Sequence, residues 1–285
     1  MVFLHELPGC RLHRPTSFMP FTFAHPAAVI PVQRVLRHRT ILSALVIGSM
    51  APDFQNFLPF DVERADSHSL AGMFWFSLPV GMVLYLAFHL LLKIPLCALL
   101  PQGMAARLAP PQAGPVLPLA SGAAVVLSLL LGILTHLAWD ALTHYSFVTV
   151  DILPYLSSHL FSVGSYHVYP YKLLQHASTV GGVLLLWYWS RQWLRRAPLP
   201  PQPSPVILGR RTRHAIVGML LIAPPLIGGA RAAHAWAFSY APAVLNDIVR
   251  EAVVTAISSF GLLLIAYSLV CHAVLQPRKR EVQSH

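Results

Sequence analysis

The sequence predicts an all-α fold, a polytopic membrane helix bundle of about six apolar segments, and three observations support it. First, 55% of the 285 residues are hydrophobic and only 11% are charged, less than half the roughly 25% charge of an ordinary soluble domain. The mean hydropathy is +0.59. Second, five segments, about 70–92, 117–139, 175–193, 214–233 and 248–275, reach the roughly 20 apolar residues that a bilayer crossing needs. Third, the basic clusters Arg34/Arg37/Arg39, Arg191/Arg195/Arg196, Arg210/Arg211/Arg213 and Arg278/Lys279/Arg280 each flank an apolar segment, as Lys and Arg do on the cytoplasmic side of membrane helices.

Taken in chain order, residues 1–18, MVFLHELPGCRLHRPTSF, hold no continuous apolar core of the length a signal peptide needs. The apolar pattern begins at Met19, and translation is expected to start there, which makes 1–18 an N-terminal extension. Residues 19–276 then read as a single helical membrane domain. Its first apolar stretch, ILSALVIGSMAP at 41–52, is short enough to be a half-span or a helix buried among the others. Proline-rich connections at 99–118 and 195–211 are irregular links between spans. Residues 277–285 form a basic cytoplasmic tail.

Placing the basic clusters inside gives an N-in, C-in topology and leaves the other connections outside. Those hold Asp53, Asp61, Glu63, Asp66, Asp140, Asp151 and Asp247, together with His68, His136, His144, His159, His167 and His176. Acid and imidazole therefore gather at one membrane face. In a cysteine-free background, a cysteine at position 159 is expected to react with an external membrane-impermeant thiol reagent while one at 203 is spared; the reverse pattern would invert the orientation. The net charge of +10 does not imply nucleic acid, because the basic residues are distributed by span and form no continuous phosphate-following patch. Cys10, Cys97 and Cys271 are scattered, with no CxxC pair, and indicate neither a disulfide framework nor a thiolate metal site.

The 15 histidines outnumber the 10 aspartates and glutamates, and neutral imidazole is the cheaper group to bury in a membrane protein. THLAWDALTH, residues 135–144, closes the apolar stretch LASGAAVVLSLLLGI. At about 100° per residue, His136, Asp140 and His144 share one side of a helix. Zinc and similar ions take imidazole nitrogen and carboxylate oxygen, often from side chains four apart. An ionisable group at the end of an apolar helix is costly unless paired, hydrated or coordinated, so a ligand role competes with a hydrogen-bonded pair that satisfies itself at the interface. Asp53, in GSMAPDF, is a second candidate ligand, or a cap following Pro52. His68, in ADSHS, is a third, or part of a helix N-terminal capping neighbourhood. His89 and His272 read as packed, hydrogen-bonded histidines. Asp61, Glu63, Arg64 and Asp66 read as a solvated loop, and Trp187, Tyr188, Trp189 and Trp193 as an interfacial belt.

MPFTFAHPAAVIP, LSALVIGSMAPDF, SHS before an apolar helix, LTHLAWDALTH and QHASTVGG resemble a bacterial integral-membrane family catalogued as a domain of unknown function, DUF4184, over about residues 19–190. More distantly, the order His, PD, HS and HxxxD is similar to that of inner-membrane metal-dependent hydrolases, themselves compared with zinc-dependent phospholipase C. Here the aspartate motif reads PDF, without a second acid two residues on, and only His68 and Ser69 match around the second histidine. This resemblance implies metal ligation by His25, Asp53, His68, His136 and Asp140, and a phospholipid or lipid-linked phosphate as substrate. On the residues themselves, Asp53, His68, His136 and Asp140 are expected to hold one or two divalent ions, zinc or else manganese or iron, with His144, His167 or His176 as further ligands or proton carriers. For His25 to join the others, residues 21–33 must run down from the outer face as a re-entrant or tilted segment.

The function expected is thus a metal-dependent hydrolase of the bacterial inner (cytoplasmic) membrane, acting on a phosphoester or lipid head group. The alternatives are an ion or proton transporter or channel using the same cluster, and a non-catalytic membrane protein with a structural polar cluster. Haem held by paired histidines would not need the aspartates.

Overall fold

The structure is a computed structural model that describes residues 22–36, 39–58, 62–108, 119–146, 148–164, 166–198, 208–238 and 245–282. The expected extension 1–18, with Cys10, lies outside the described residues, as do Arg37, Asp61, residues 283–285 and the side chains of Arg278, Lys279 and Arg280.

A 3₁₀ segment, Thr22–Ala28, runs directly into α1 (Val29–Leu36), followed by α2 (Leu42–Gly48) and a second 3₁₀ segment, Ala51–Phe57. Pro52 stands at the start of that second segment, where its missing N–H leaves no helical bond unmade. The single turn Arg64–Ser67 leads into the long helix α3 (Leu70–Leu99). Ser69 Oγ caps α3 by accepting the Gly72 N–H at 2.8 Å, the ordinary use of serine at a helix start. After α4 (Gln102–Leu108) comes α5 (Leu119–Thr143), which carries the His136/Asp140 motif. A short antiparallel hairpin, β1 (Phe161–Val163) and β2 (Tyr166–Val168), precedes α6 (Pro170–Arg196), α7 (Arg210–Phe238) and α8 (Leu245–Val282). Apart from that hairpin the described chain is helical, in agreement with the all-α class.

Among the described residues, four helices are long and apolar enough to cross a membrane: Leu70–Leu99, Gly122–Thr143, Arg210–Ala237 and Asp247–Val274. They leave large apolar side chains such as Leu127, Leu221, Leu226, Leu262 and Leu269 exposed on the protein surface, the pattern that lipid contact favours. The other two expected segments differ in kind. α6 has 27 residues, but Gln175, His176, Ser178 and Thr179, together with Trp187, Tyr188 and Trp189, lower its hydropathy. α2 has seven residues and is packed inside the bundle, with Ala44 and Leu45 fully buried.

α2 crosses α5 at backbone contact. A Cβ on Gly48 would stand 2.3 Å from the Leu129 carbonyl oxygen, and one on Gly132 would stand 2.3 Å from the Leu45 carbonyl oxygen and 2.8 Å from the Ser49 nitrogen. Small residues are what let membrane helices approach this closely. The crossing is also polar, since the Ile41 N–H donates to Ser128 Oγ at 2.9 Å. Around it Ala44, Tyr85, Val125 and Leu129 form a core.

α8 is tied to α3 at a proline. Pro95 has no N–H to give the Leu91 carbonyl four residues before it, and His272 Nε2–H donates to that carbonyl at 3.0 Å. The Tyr267 hydroxyl donates to the Pro95 carbonyl, also at 3.0 Å. His272 is thus the hydrogen-bonded packing histidine that its position suggests. His89 Nε2 likewise pairs with Ser43 Oγ at 3.0 Å.

Candidate metal centre

Four chain segments converge on one buried polar cluster. Asp53 comes from the Ala51–Phe57 turn, Arg64 and His68 from the turn before α3, His136, Asp140 and His144 from the end of α5, and His25 from the Thr22–Ala28 segment. His136 is 0% exposed, Asp53 1% and His25 4%. Side chains of this kind are buried only when paired or coordinated.

His25 reaches the cluster because small residues let its segment lie against α6. A Cβ on Gly182 would be 3.1 Å from the Ala24 carbonyl oxygen and 3.5 Å from the Ala27 Cβ. The His25 ring then stacks on His136 with centroids 4.0 Å apart and an interplanar angle of 26°. An apolar opening of about 390 Å³ flanks His25 here, lined by Ala24, Ala28, Trp139, Thr143, Gly182 and Leu185 among others.

Four donors face one point. His68 Nε2 lies 3.2 Å from His136 Nε2, 3.4 Å from Asp53 Oδ1 and 3.4 Å from Asp140 Oδ2. His136 Nε2 lies 3.7 Å from Asp53 Oδ1 and 3.5 Å from Asp140 Oδ2. All four ligand atoms fall within 4.8 Å of one another. Around a tetrahedral metal with bonds of about 2.0–2.1 Å, neighbouring ligand atoms stand about 3.3 Å apart; the five histidine separations, 3.2–3.7 Å, lie near that figure, while the four atoms together span up to 4.8 Å.

The surrounding hydrogen bonds orient the donors. His136 Nδ1–H donates to the Ser49 carbonyl at 2.8 Å, so Nε2 carries the lone pair. His68 Nδ1 is 2.8 Å from Ser67 Oγ, whose own hydroxyl donates to Gln55 Oε1, so His68 too presents Nε2 as a lone pair. Thr22 Oγ1–H donates to Asp53 Oδ2 at 2.9 Å and turns Oδ1 inward. Such outer partners fix the tautomer and aim of ligand histidines and carboxylates.

Charge is counted differently from the sequence expectation. Arg64, read as part of a solvated loop, pairs instead with Asp140 Oδ2 and lies 3.5 Å from Asp53 Oδ1, with its side chain one-third exposed. The loop forms a helical turn at Arg64–Ser67, and that turn carries the guanidinium inward while Glu63 and Asp66 stay exposed. Burial alone would raise the Asp53 carboxyl, but His136, the His68 hydrogen bond and Arg64 together hold it well below the usual carboxylate range. Burial, with His136 beside it, pushes His25 down to about 4, and burial also lowers His144.

The expected residues divide cleanly. Asp53, His68, His136, Asp140, His25 and His144 are brought together. His167 lies on the hairpin, exposed, with Nδ1 2.8 Å from Ser162 Oγ, and His176 is exposed on α6. One position earlier, Gln175 is buried and places its amide 3.2 Å from His144 Nε2, since neighbouring positions on a helix point about 100° apart.

The family model for Domain of unknown function (DUF4184) matches residues 19–269. That match covers the whole cluster and continues past residue 190 into α7 and α8. Comparison with curated proteins and with solved structures finds no match in either. With the matched region spanning most of the chain, the protein belongs to the DUF4184 family.

Proposed function

We propose that the protein is a membrane-embedded, metal-dependent hydrolase of phosphoesters, with Asp53, His68, His136 and Asp140 as ligands of a divalent ion, zinc fitting best and manganese or iron also accepted by this donor set. The observation that carries the reading is the pair of facing Nε2 atoms of His68 and His136, 3.2 Å apart, each with its Nδ1 already engaged. Two lone pairs so placed repel unless a positive charge lies between them. A shared proton would join the two imidazoles but would leave the buried Asp53 Oδ1, which faces both of them, without a hydrogen bond.

A bound ion of this kind supplies Lewis acidity and brings the pKa of a bound water toward neutrality. The chain's own groups do the rest. Ser49, Ser67 and Thr22 hold the ligands in place. Arg64 is exposed enough to meet a substrate, and a guanidinium matches the oxygens of a phosphate in two-pronged fashion. The apolar opening beside His25 supports a phospholipid or lipid-linked phosphate as the substrate. The proposed setting is the bacterial inner membrane, N-in and C-in, with the cluster at the outer face.

Protein purified without chelator should carry near-stoichiometric zinc, manganese or iron by elemental analysis and release head group or phosphate from phospholipid vesicles in a metal-dependent way. His136→Ala should lose both properties, and His89→Ala, whose ring pairs with Ser43, should keep both. Wild type free of metal, with His136→Ala folding as wild type does, would leave a self-satisfied polar cluster as the better account. Bound metal without hydrolysis would point to a transport or structural role.

A further inference from the structure

We infer that the opening between α6 and the Thr22–Ala28 segment is a groove for one hydrocarbon chain of a lipid, with His25 as the hydrogen-bonding group that meets the polar end of that chain. The inference rests on the lipid-substrate reading above and adds where the chain lies and what selects it.

The groove has the length and lining that a lipid tail needs. Its α6 wall is the stripe Leu174, Ala177, Gly181 and Leu185, positions three or four apart that share one face of a helix. At roughly 1.5 Å per residue the stripe runs about 16 Å, close to half of a hydrocarbon core about 30 Å thick. That is the depth of one leaflet. Ala24, Ala27 and Ala28 face it from the 3₁₀ segment, and the membrane helix α5 closes the groove with Trp139 and Thr143. A volume of about 390 Å³ stands near the lower end of the roughly 300–1,000 Å³ of ligand pockets, so the groove takes one chain and not the body of a two-tailed lipid.

The polar groups of the lining say what else the occupant carries. Thr143 Oγ1–H donates to the Trp139 carbonyl at 3.0 Å, and Ser178 and Thr179 donate to the Gln175 carbonyl at 3.0 and 2.9 Å. Each of these hydroxyls is spent on its own helix. His25 lines the same groove with its side chain 2% exposed, and neither ring nitrogen has a hydrogen-bond partner. Its Nε2 lies 3.7 Å from Asp140 Oδ1, beyond an ordinary hydrogen bond. Buried polar atoms are rarely left so, and the one donor and one acceptor of a neutral imidazole suit the hydroxyl, ester or phosphate oxygens at the head of a lipid chain. Bilayer tails are as apolar as the groove, so apolar contact alone does not draw a chain out of the bilayer. The hydrogen bond at His25 does. Because that ring also stacks on His136, the polar end it holds lies beside the Asp/His cluster.

The test uses the full chain in detergent, stripped with chelator, and phosphatidylglycerol with a photoactivatable diazirine midway along one acyl chain as the probe. Wild type should carry adducts on residues 174–185 in excess over residues 216–227 of α7, where Leu221 and Leu226 are exposed. Gly181→Leu should remove that excess, since a Cβ there meets open space and the new side chain enters the groove without moving backbone. Gly218→Leu, equally open on α7, should leave it intact. Unlabelled phosphatidylglycerol should displace the probe about fivefold better than hexadecane, the effect of one ordinary hydrogen bond, and His25→Phe should erase the difference. No excess in wild type, or an excess that survives Gly181→Leu, would overturn the groove. Equal displacement by the two competitors in wild type, or a difference that persists in His25→Phe, would overturn the role of His25. Labelling needs no metal, so adducts in the groove without hydrolysis would support the groove and sink the hydrolase, while metal-dependent hydrolysis without adducts there would do the reverse. The wild-type measurements decide the matter even if a variant fails to fold.

Discussion

Gly132→Val is expected to yield almost no folded protein, read as loss of the monodisperse peak on size-exclusion chromatography and a collapse in yield from membranes. The added Cβ would sit 2.3 Å from the Leu45 carbonyl oxygen and 2.8 Å from the Ser49 nitrogen. Both obstacles are backbone, so no side chain can swing aside. α2 and α5 would have to part by about 1 Å along a packed seam, at the upper end of the roughly 1–3 kcal/mol that overpacking costs, or beyond it. That is a large share of a total stability of about 5–15 kcal/mol. The same crossing carries the Ser49 carbonyl that orients His136, one helical turn further along α5, so any fraction that folds should also hold metal poorly. Gly261→Val makes the matching control, since a Cβ there meets open space. Wild-type yield and metal content in Gly132→Val would mean that the two helices do not touch at this point.

The second large effect belongs to Asp140. Asn keeps its size and removes its charge, and Asp140→Asn should abolish metal binding altogether, with affinity falling by well over the roughly 10 to 100-fold that losing an outer partner costs. The carboxylate is the common neighbour of His25, Arg64, His68, His136 and His144, so no other single substitution removes as many contacts. Asp66→Asn, at an exposed carboxylate two residues from Arg64, should leave metal content unchanged. Equal metal in Asp140→Asn and wild type, measured by elemental analysis on folded protein, would place the ions elsewhere.

How much of this could be read from residues alone varies with the distance over which the information acts. Span positions are set by local hydropathy, and α3, α5, α7 and α8 lie where apolar runs predict them. The facing of His136, Asp140 and His144 is likewise local, a property of one helix. Arg64 was hidden because DVERADS looks like a solvated charged loop; its one visible signal is the i, i+4 spacing to His68, which puts both on one side of the short turn. His25 could be named only through resemblance, because its place depends on small residues of α6 more than 150 positions away. Composition draws attention to His176, which is exposed, while the helix turns Gln175, one position earlier, inward to His144. Of the six apolar segments expected, four among the described residues are helices long and apolar enough to cross a membrane, because α6 mixes aromatic and polar residues along its length and α2 is buried by contacts that hydropathy does not record.

The proline in α3 also bears on the order in which the chain is put together. In the hydrocarbon interior an unpaired backbone group costs several kcal/mol, and the Leu91 carbonyl lacks the donor that Pro95 would supply in any other residue. Its replacement, His272, is encoded 181 positions later. As the ribosome extends the chain, the earliest long span therefore waits for the final one, and a nascent protein released before α8 carries an unfinished helix within its own membrane.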